Sequence, residues 1–176
     1  MGFMKAIGMA AALAIFATGS ATAQESSTNR VAANTDWSVF VEDNPTECWG
    51  VSTPKESVNT RDDRVVAVNR GQTLLMVFYR PSAAAKGQVA FTGGYPFASG
   101  SSVNLNISGN SFDLFTEGEW AWPATTDDDS KIITAMKRGA EAVLTGRSGR
   151  GTKTKDTFSL LGFTAAVEDA AKRCGG

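Results

Sequence analysis

Cys48 and Cys174 are the only cysteines in the chain, and most of the polypeptide lies between them. Joined, they would clamp the last residues of the chain to its first third and close everything between into one loop. Unjoined, they are two separately buried thiols. Their separation excludes the close C-x-x-C spacing of redox motifs and zinc knuckles. On a chain-entropy account, closing so long a loop stabilises a fold by roughly 4–5 kcal/mol. Which alternative holds depends on the compartment, because disulfides persist where the surroundings are oxidising.

The N-terminus argues for export. Lys5 gives a short positive region, "AIGMAAALAIFATG" an apolar stretch short for a stable span, and Ala21-Thr22-Ala23 an A-x-A site. This pattern predicts a signal peptide over residues 1–23, with Gln24 as the first mature residue and a location in the periplasm or outside the cell. The rival reading is a retained anchor, but "QESSTNR" is no basic stop-transfer cluster. No cysteine follows the apolar stretch, which speaks against lipoprotein attachment there. In such a compartment two cysteines without a competitor are expected to pair, two free thiols being the alternative.

Loss of Lys5 with the signal leaves sixteen of the 17 basic residues facing all 18 acidic ones. That balance argues against a nucleic-acid binder, which needs a positive face to displace phosphate counterions. No later apolar run reaches transmembrane length.

Residues 24–35 are polar and small and read as a disordered lead-in to a single domain over 36–176. From there the dominant period is two. "DWSVFVED" sets Trp37, Val39 and Val41 against Ser38 and Phe40. "RVVAVNR" and "TLLMVFYR" read as strands parted by the turn pair Arg70-Gly71. Apolar residues on both faces from Leu74 to Phe78 predict a central, fully covered strand that Pro81 ends. "GQVAFTGGYPF" gives another, broken at Gly93 and Gly94. "SVNLNISGNSFDLFTE" predicts a hairpin around a type II′ turn at Gly109-Asn110.

Two helices interrupt the sheet. "TTDDDSKIITAMKRG" has acidic residues first, basic residues last, and Gly139 as its C′ residue. "FTAAVEDAAKRC" carries Phe163, Ala166, Val167, Ala170, Ala171 and Cys174 on one stripe. Its other side offers Glu168–Lys172 and Asp169–Arg173 pairs. About eight short strands and two helices without a βαβ rhythm predict a mainly β, antiparallel sandwich.

Chemistry is harder to find. Histidine is absent, which removes the commonest general base and zinc ligand, and so is a G-x-S-x-G elbow. "LTGRSGRGTKTKDTFSLLGF" resembles a phosphate cradle, since Gly146 and Gly151 have P-loop separation. Yet Thr152 holds the lysine position, Lys153 is displaced by one, and a strand follows where a helix is needed. The stretch reads as a hairpin connection. Its Arg147, Arg150, Lys153 and Lys155 are candidates for contact with an anionic surface, or else a solvated edge. Asp127, Asp128 and Asp129 read as helix capping rather than a calcium loop. Trp120 and Trp122, two apart in "GEWAWPA", share a face if extended and read as filling the core or covering a strand edge; an aromatic platform for sugar rings is the alternative.

"DWSVFVED", the Ala121-Trp122 pair ahead of "IITAMKRGAEAVLTGRS", and the closing "TFSLLGFTAAVEDAAKRC" together resemble the invasion-associated locus B family of exported alphaproteobacterial proteins. The resemblance spans nearly all of the mature chain. It implies an immunoglobulin-like β-sandwich in the periplasm or cell envelope and, in some pathogenic members, a link to host-cell invasion. Many relatives have a further cysteine near the position of Val41, pairing locally; here that pattern is missing. The resemblance brings no catalytic motif and no cofactor. A non-enzymatic module binding an envelope protein, glycan or lipid surface is therefore expected. The alternative, a hydrolase of envelope carbohydrate, needs two facing carboxylates about 5–10 Å apart.

Overall fold

A computed structural model describes residues 28–175; the expected signal peptide and its cleavage site lie outside the described residues. Twelve strands and two helices follow in the order β1 (Arg30–Asn34), β2 (Trp37–Asp43), β3 (Thr46–Ser52), β4 (Glu56–Arg61), β5 (Arg64–Val65), β6 (Leu74–Arg80), β7 (Ala85–Thr92), β8 (Ser102–Ile107), β9 (Asn110–Glu117), β10 (Trp120–Trp122), α1 (Thr126–Arg138), β11 (Glu141–Arg147), β12 (Lys153–Ser159) and α2 (Phe163–Arg173). All pairings are antiparallel, in one sheet ordered β1-β2-β3-β6-β7-β10-β9-β8-β11-β12-β4-β5.

This one sheet folds back on itself into two layers, giving the expected mainly β sandwich with a helix at its end. Phe91 of β7 meets Phe158 of β12 edge to face at 6.2 Å, and the Trp37 indole of β2 donates to the Ser159 carbonyl at 3.0 Å. The inward positions are the alternate ones the period of two predicts: Val39, Leu75, Val77, Val89, Leu105 and Leu144 are all fully buried. α2 lays Phe163, Ala166, Val167 and Ala170 onto that same inner face. Gly162, at the start of α2, has φ +89, and a Cβ there would sit 1.9 Å from the Asn34 carbonyl oxygen, so only glycine lets the helix enter so close to β1.

The far end of α2 is fixed covalently. Cys48, in the middle of β3, is bonded to Cys174 across 126 residues, with the two Cα atoms 5.8 Å apart.

A second long-range tie is ionic. Arg70, in the strandless segment between β5 and β6, places its guanidinium on Asp156 of β12 through two bonds of 2.8 and 2.7 Å. Asp156 is fully buried and also accepts from Ser57 at 2.6 Å, while Arg70 donates to the Gly93 carbonyl at 2.9 Å.

Several expectations need correcting. The strands number twelve, not about eight. The disordered lead-in is a strand from residue 30 to 34, because its backbone pairs with β2 and Ala32 packs against the core; residues 24–27 lie outside the described residues. "RVVAVNR" is strand only at Arg64–Val65, since Arg70 draws the following residues away from any ladder. Gly109-Asn110 is not the turn: Ile107 pairs with Asn110, so Ser108 and Gly109 turn the chain, both at positive φ as a type I′ turn requires. Glu168 bridges to Lys137 of α1 at 2.9 Å rather than to Lys172, whereas Asp169–Arg173 is present. Gly139 is extended, not left-handed; a Cβ there would lie 2.6 Å from Ile107, so close packing explains it.

The three aspartates opening α1 take separate partners. Thr125 caps the helix by accepting the Asp128 N–H, and Asp127 and Asp128 hold Lys131. Asp129 is buried and accepts the Val89 N–H at 2.7 Å, tying α1 to β7. Burial pushes its carboxyl above the ordinary value of 3.8, with Asp128 adding to the rise and the Val89 N–H opposing it.

Three outcomes follow for stability. Replacing both cysteines by serine lowers unfolding free energy by about 2–5 kcal/mol in denaturant titration, and reduction of the native chain does the same. Asp156→Ala strands a buried guanidinium and costs about 3–5 kcal/mol by the same measurement. A raised folded pKa means that the native state holds its proton more tightly, so Asp129 takes stability away as pH climbs from 3.8 through the raised value. Asp129→Asn, which keeps an acceptor for Val89, flattens that slope in pH-dependent thermal melts.

Candidate functional site

Because both α2 and the second layer occupy the inner face, the outward residues of β2, β3, β6, β7, β10 and β9 have no covering layer. On most exposed sheets those positions are polar. Here Phe40, Trp49, Phe78, Phe115, Trp120 and Trp122 stand among the polar ones. Phe40 of β2 stands directly opposite Trp49 of β3, their rings stacked at 5.5 Å and inclined by 8°. Trp49 leads on to Phe78 of β6 at 5.9 Å. The Arg80 guanidinium covers Phe78 at 4.1 Å, steered there by Gln88 at 3.0 Å and Glu47 at 3.1 Å.

Across the same face a second stack forms. Trp120 and Trp122 both point outward because Ala121 between them is fully buried. Their rings lie 6.2 Å apart at 15°, and Phe115 of β9 joins Trp122 at 5.6 Å. Trp120 is 36% and Phe115 48% exposed, large values for side chains of this kind. Between the stacks runs a groove of about 450 Å³, with Trp49, Leu74, Met76 and Trp120 on its apolar walls and Ser38, Thr53 and Gln72 at its margins.

Asp36 is the carboxylate that lines this groove. Lys55 holds it, and that contact, with a hydrogen bond from Ser159, keeps its carboxyl below the ordinary range. A carboxylate so held is ionised at neutral pH and unsuited to act as a general acid.

Trp120 and Trp122 stack outward rather than filling the core, as part of a larger aromatic surface. Phe40, Trp49, Phe78 and Phe115 escaped notice as site residues. Their signal was apolar side chains at outward strand positions: Phe40 among the polar set of β2, and the doubly apolar β6. β6 is central in its layer, with Met76 buried and Leu74 and Phe78 half-buried on the aromatic side, so the expected cover is present but partial.

The four basic residues do not act together. Arg147 pairs opposite Lys153 and Thr145 opposite Lys155, so three charges stand on the outer face of the other layer. Arg150 lies on the turn between β11 and β12 and faces a cavity instead. Among the described residues no helix is long and apolar enough to cross a membrane.

With three of the four tryptophans on the open face and Trp37 buried, iodide is expected to quench most of the native emission. In the variant Trp49→Phe, Trp120→Phe, Trp122→Phe the residual emission shifts to the blue and resists quenching.

The family model described as invasion associated locus B (IalB) protein matches residues 37–171. Among solved structures, the crystal structure of invasion associated protein B from Bartonella henselae superposes with a TM-score of 0.57 at 14% sequence identity, covering 82% of this chain and 98% of that one. At such identity the likeness is one of fold. No curated protein matches the chain.

Proposed function

The chain belongs to the invasion-associated locus B family, and from that premise we propose that it is an exported, non-enzymatic module that binds glycan of the cell envelope on its aromatic sheet face. The observation that carries this reading is the pair of nearly parallel ring stacks, Phe40–Trp49 and Trp120–Trp122, on either side of a groove with a polar margin. Sugar rings present C–H groups on their faces and hydroxyls at their edges. Flat aromatic side chains take the former, and hydrogen-bonding groups such as Ser38, Thr53 and Gln72 take the latter.

The hydrolase alternative asks for two facing carboxylates. In the groove Asp36 is the carboxylate available, and Lys55 neutralises it. Binding without bond cleavage therefore fits the surface better. The Cys48–Cys174 bond supports export in turn, since disulfides persist where the surroundings are oxidising, and export would bring the chain to envelope glycans.

Soluble peptidoglycan fragments and lipopolysaccharide core oligosaccharide, titrated while following tryptophan emission, are expected to give saturable binding. The variant Trp49→Ala, Trp120→Ala is expected to bind at least about tenfold more weakly while keeping its unfolding midpoint. Full affinity in that variant, or no saturable binding to either glycan, refutes the assignment. Cell fractionation with N-terminal sequencing is expected to find the chain in the periplasm starting at Gln24.

A further inference from the structure

The turn between β11 and β12, together with the strandless segment after β5, borders a cavity of about 510 Å³ that shares no lining residue with the aromatic groove. Its size suits a small molecule. The buried hydroxyls of Thr152 and Thr154 line it, and Arg61 of β4 and Arg150 of the turn border it. Arg61 donates one bond, to Thr152 Oγ1 at 2.6 Å. Thr152 accepts there, which leaves its own proton to donate. Arg150 makes no hydrogen bond or ion pair among the described residues. Arg70 also lines the cavity, but both arms of its guanidinium are committed to Asp156, and its flat face lies over the Tyr95 ring at 5.1 Å. It shapes the wall rather than offering charge. Glu119 borders the cavity too, so two guanidiniums with donors to spare face one carboxylate.

The glycine-rich turn cannot supply the usual backbone cradle for an anion. The Ser148 N–H donates to Thr152 O, that of Gly149 to Pro96 O, and that of Gly151 to Ser148 O. The Thr152 N–H donates to Ser148 Oγ. Recognition here must come from side chains, and the side chains with capacity left are cationic and hydroxylic.

We propose that this cavity binds a small molecule through a carboxylate or phosphate group, with Arg61 and Arg150 supplying the opposing charge and Thr152 a hydroxyl donor. Guanidinium forks match both groups, which share planar or near-planar pairs of oxygens. The site does not depend on the glycan reading.

Calorimetric titration of the full chain with inorganic phosphate and with succinate, at constant ionic strength set by chloride, tests it. Saturable binding of either anion is expected, and the tighter one names the group. Arg150→Gln and Arg61→Gln are each expected to weaken that binding about tenfold. Lys155→Gln, on the outer face, should leave it unchanged, as should the Trp49→Ala, Trp120→Ala variant. Arg150 is exposed and makes no hydrogen bond or ion pair among the described residues, so Arg150→Gln is expected to keep the unfolding midpoint, which is checked beside the titration. Absence of saturable heat with both anions overturns the proposal. So does full affinity in Arg150→Gln, or an equal loss in Lys155→Gln, which would mark diffuse charge screening.

Discussion

The bond between Cys48 and Cys174 settles which side of the sheet is closed. A sheet has two faces, and a short amphipathic helix can cover only one. α2 is held at its start by the contact of Gly162 with Asn34 and at its end by the sulfur bridge into β3. Both anchors belong to the inner side, so the buried stripe from Phe163 to Ala170 has no freedom to choose the other. The outer side of the same strands is left without cover. Its apolar character is then a property of the folded surface and not a fragment of core.

Much of this was legible in the chain, and what was not has identifiable causes. The period of two located most strands, and capping and stripe patterns located both helices to within a residue or two. Cysteine count and the expectation of export foretold the bridge. Strand order was not legible, because antiparallel neighbours are chosen by the fold as a whole and not by any single strand. Arg70 looked like a turn residue; only the buried carboxylate of Asp156, far along the chain, explains its position. The aromatic face was half visible. Trp120 and Trp122 announced themselves by spacing, whereas Phe40, Trp49 and Phe78 looked like ordinary strand residues. An apolar residue on both sides of a strand signals full burial in most sheets, and a single sequence does not say when the second side stays open.

The glycine-rich stretch near the C-terminus shows a similar division. Its spacing excluded a nucleotide loop, and the hairpin it was expected to make is present. Alternation then parts its charges. Arg147, Lys153 and Lys155 go outward with the pleat, and Arg150, on the turn, escapes that rule and meets Arg61 from β4 at one cavity. Turn residues are free of the strand's two-sided arithmetic, and that is where a charged group can be redirected.

The covalent loop also governs how the protein bears load. Were it drawn taut between an attachment near its beginning and a ligand gripped on its surface, only the stretch ahead of Cys48 would unreel. Trp49, Phe78, Phe115, Trp120 and Trp122 all fall within the sulfur-closed circuit. They would therefore stay tethered to one another after the loss of β1 and β2, while Phe40 alone of the two stacks would leave with β2.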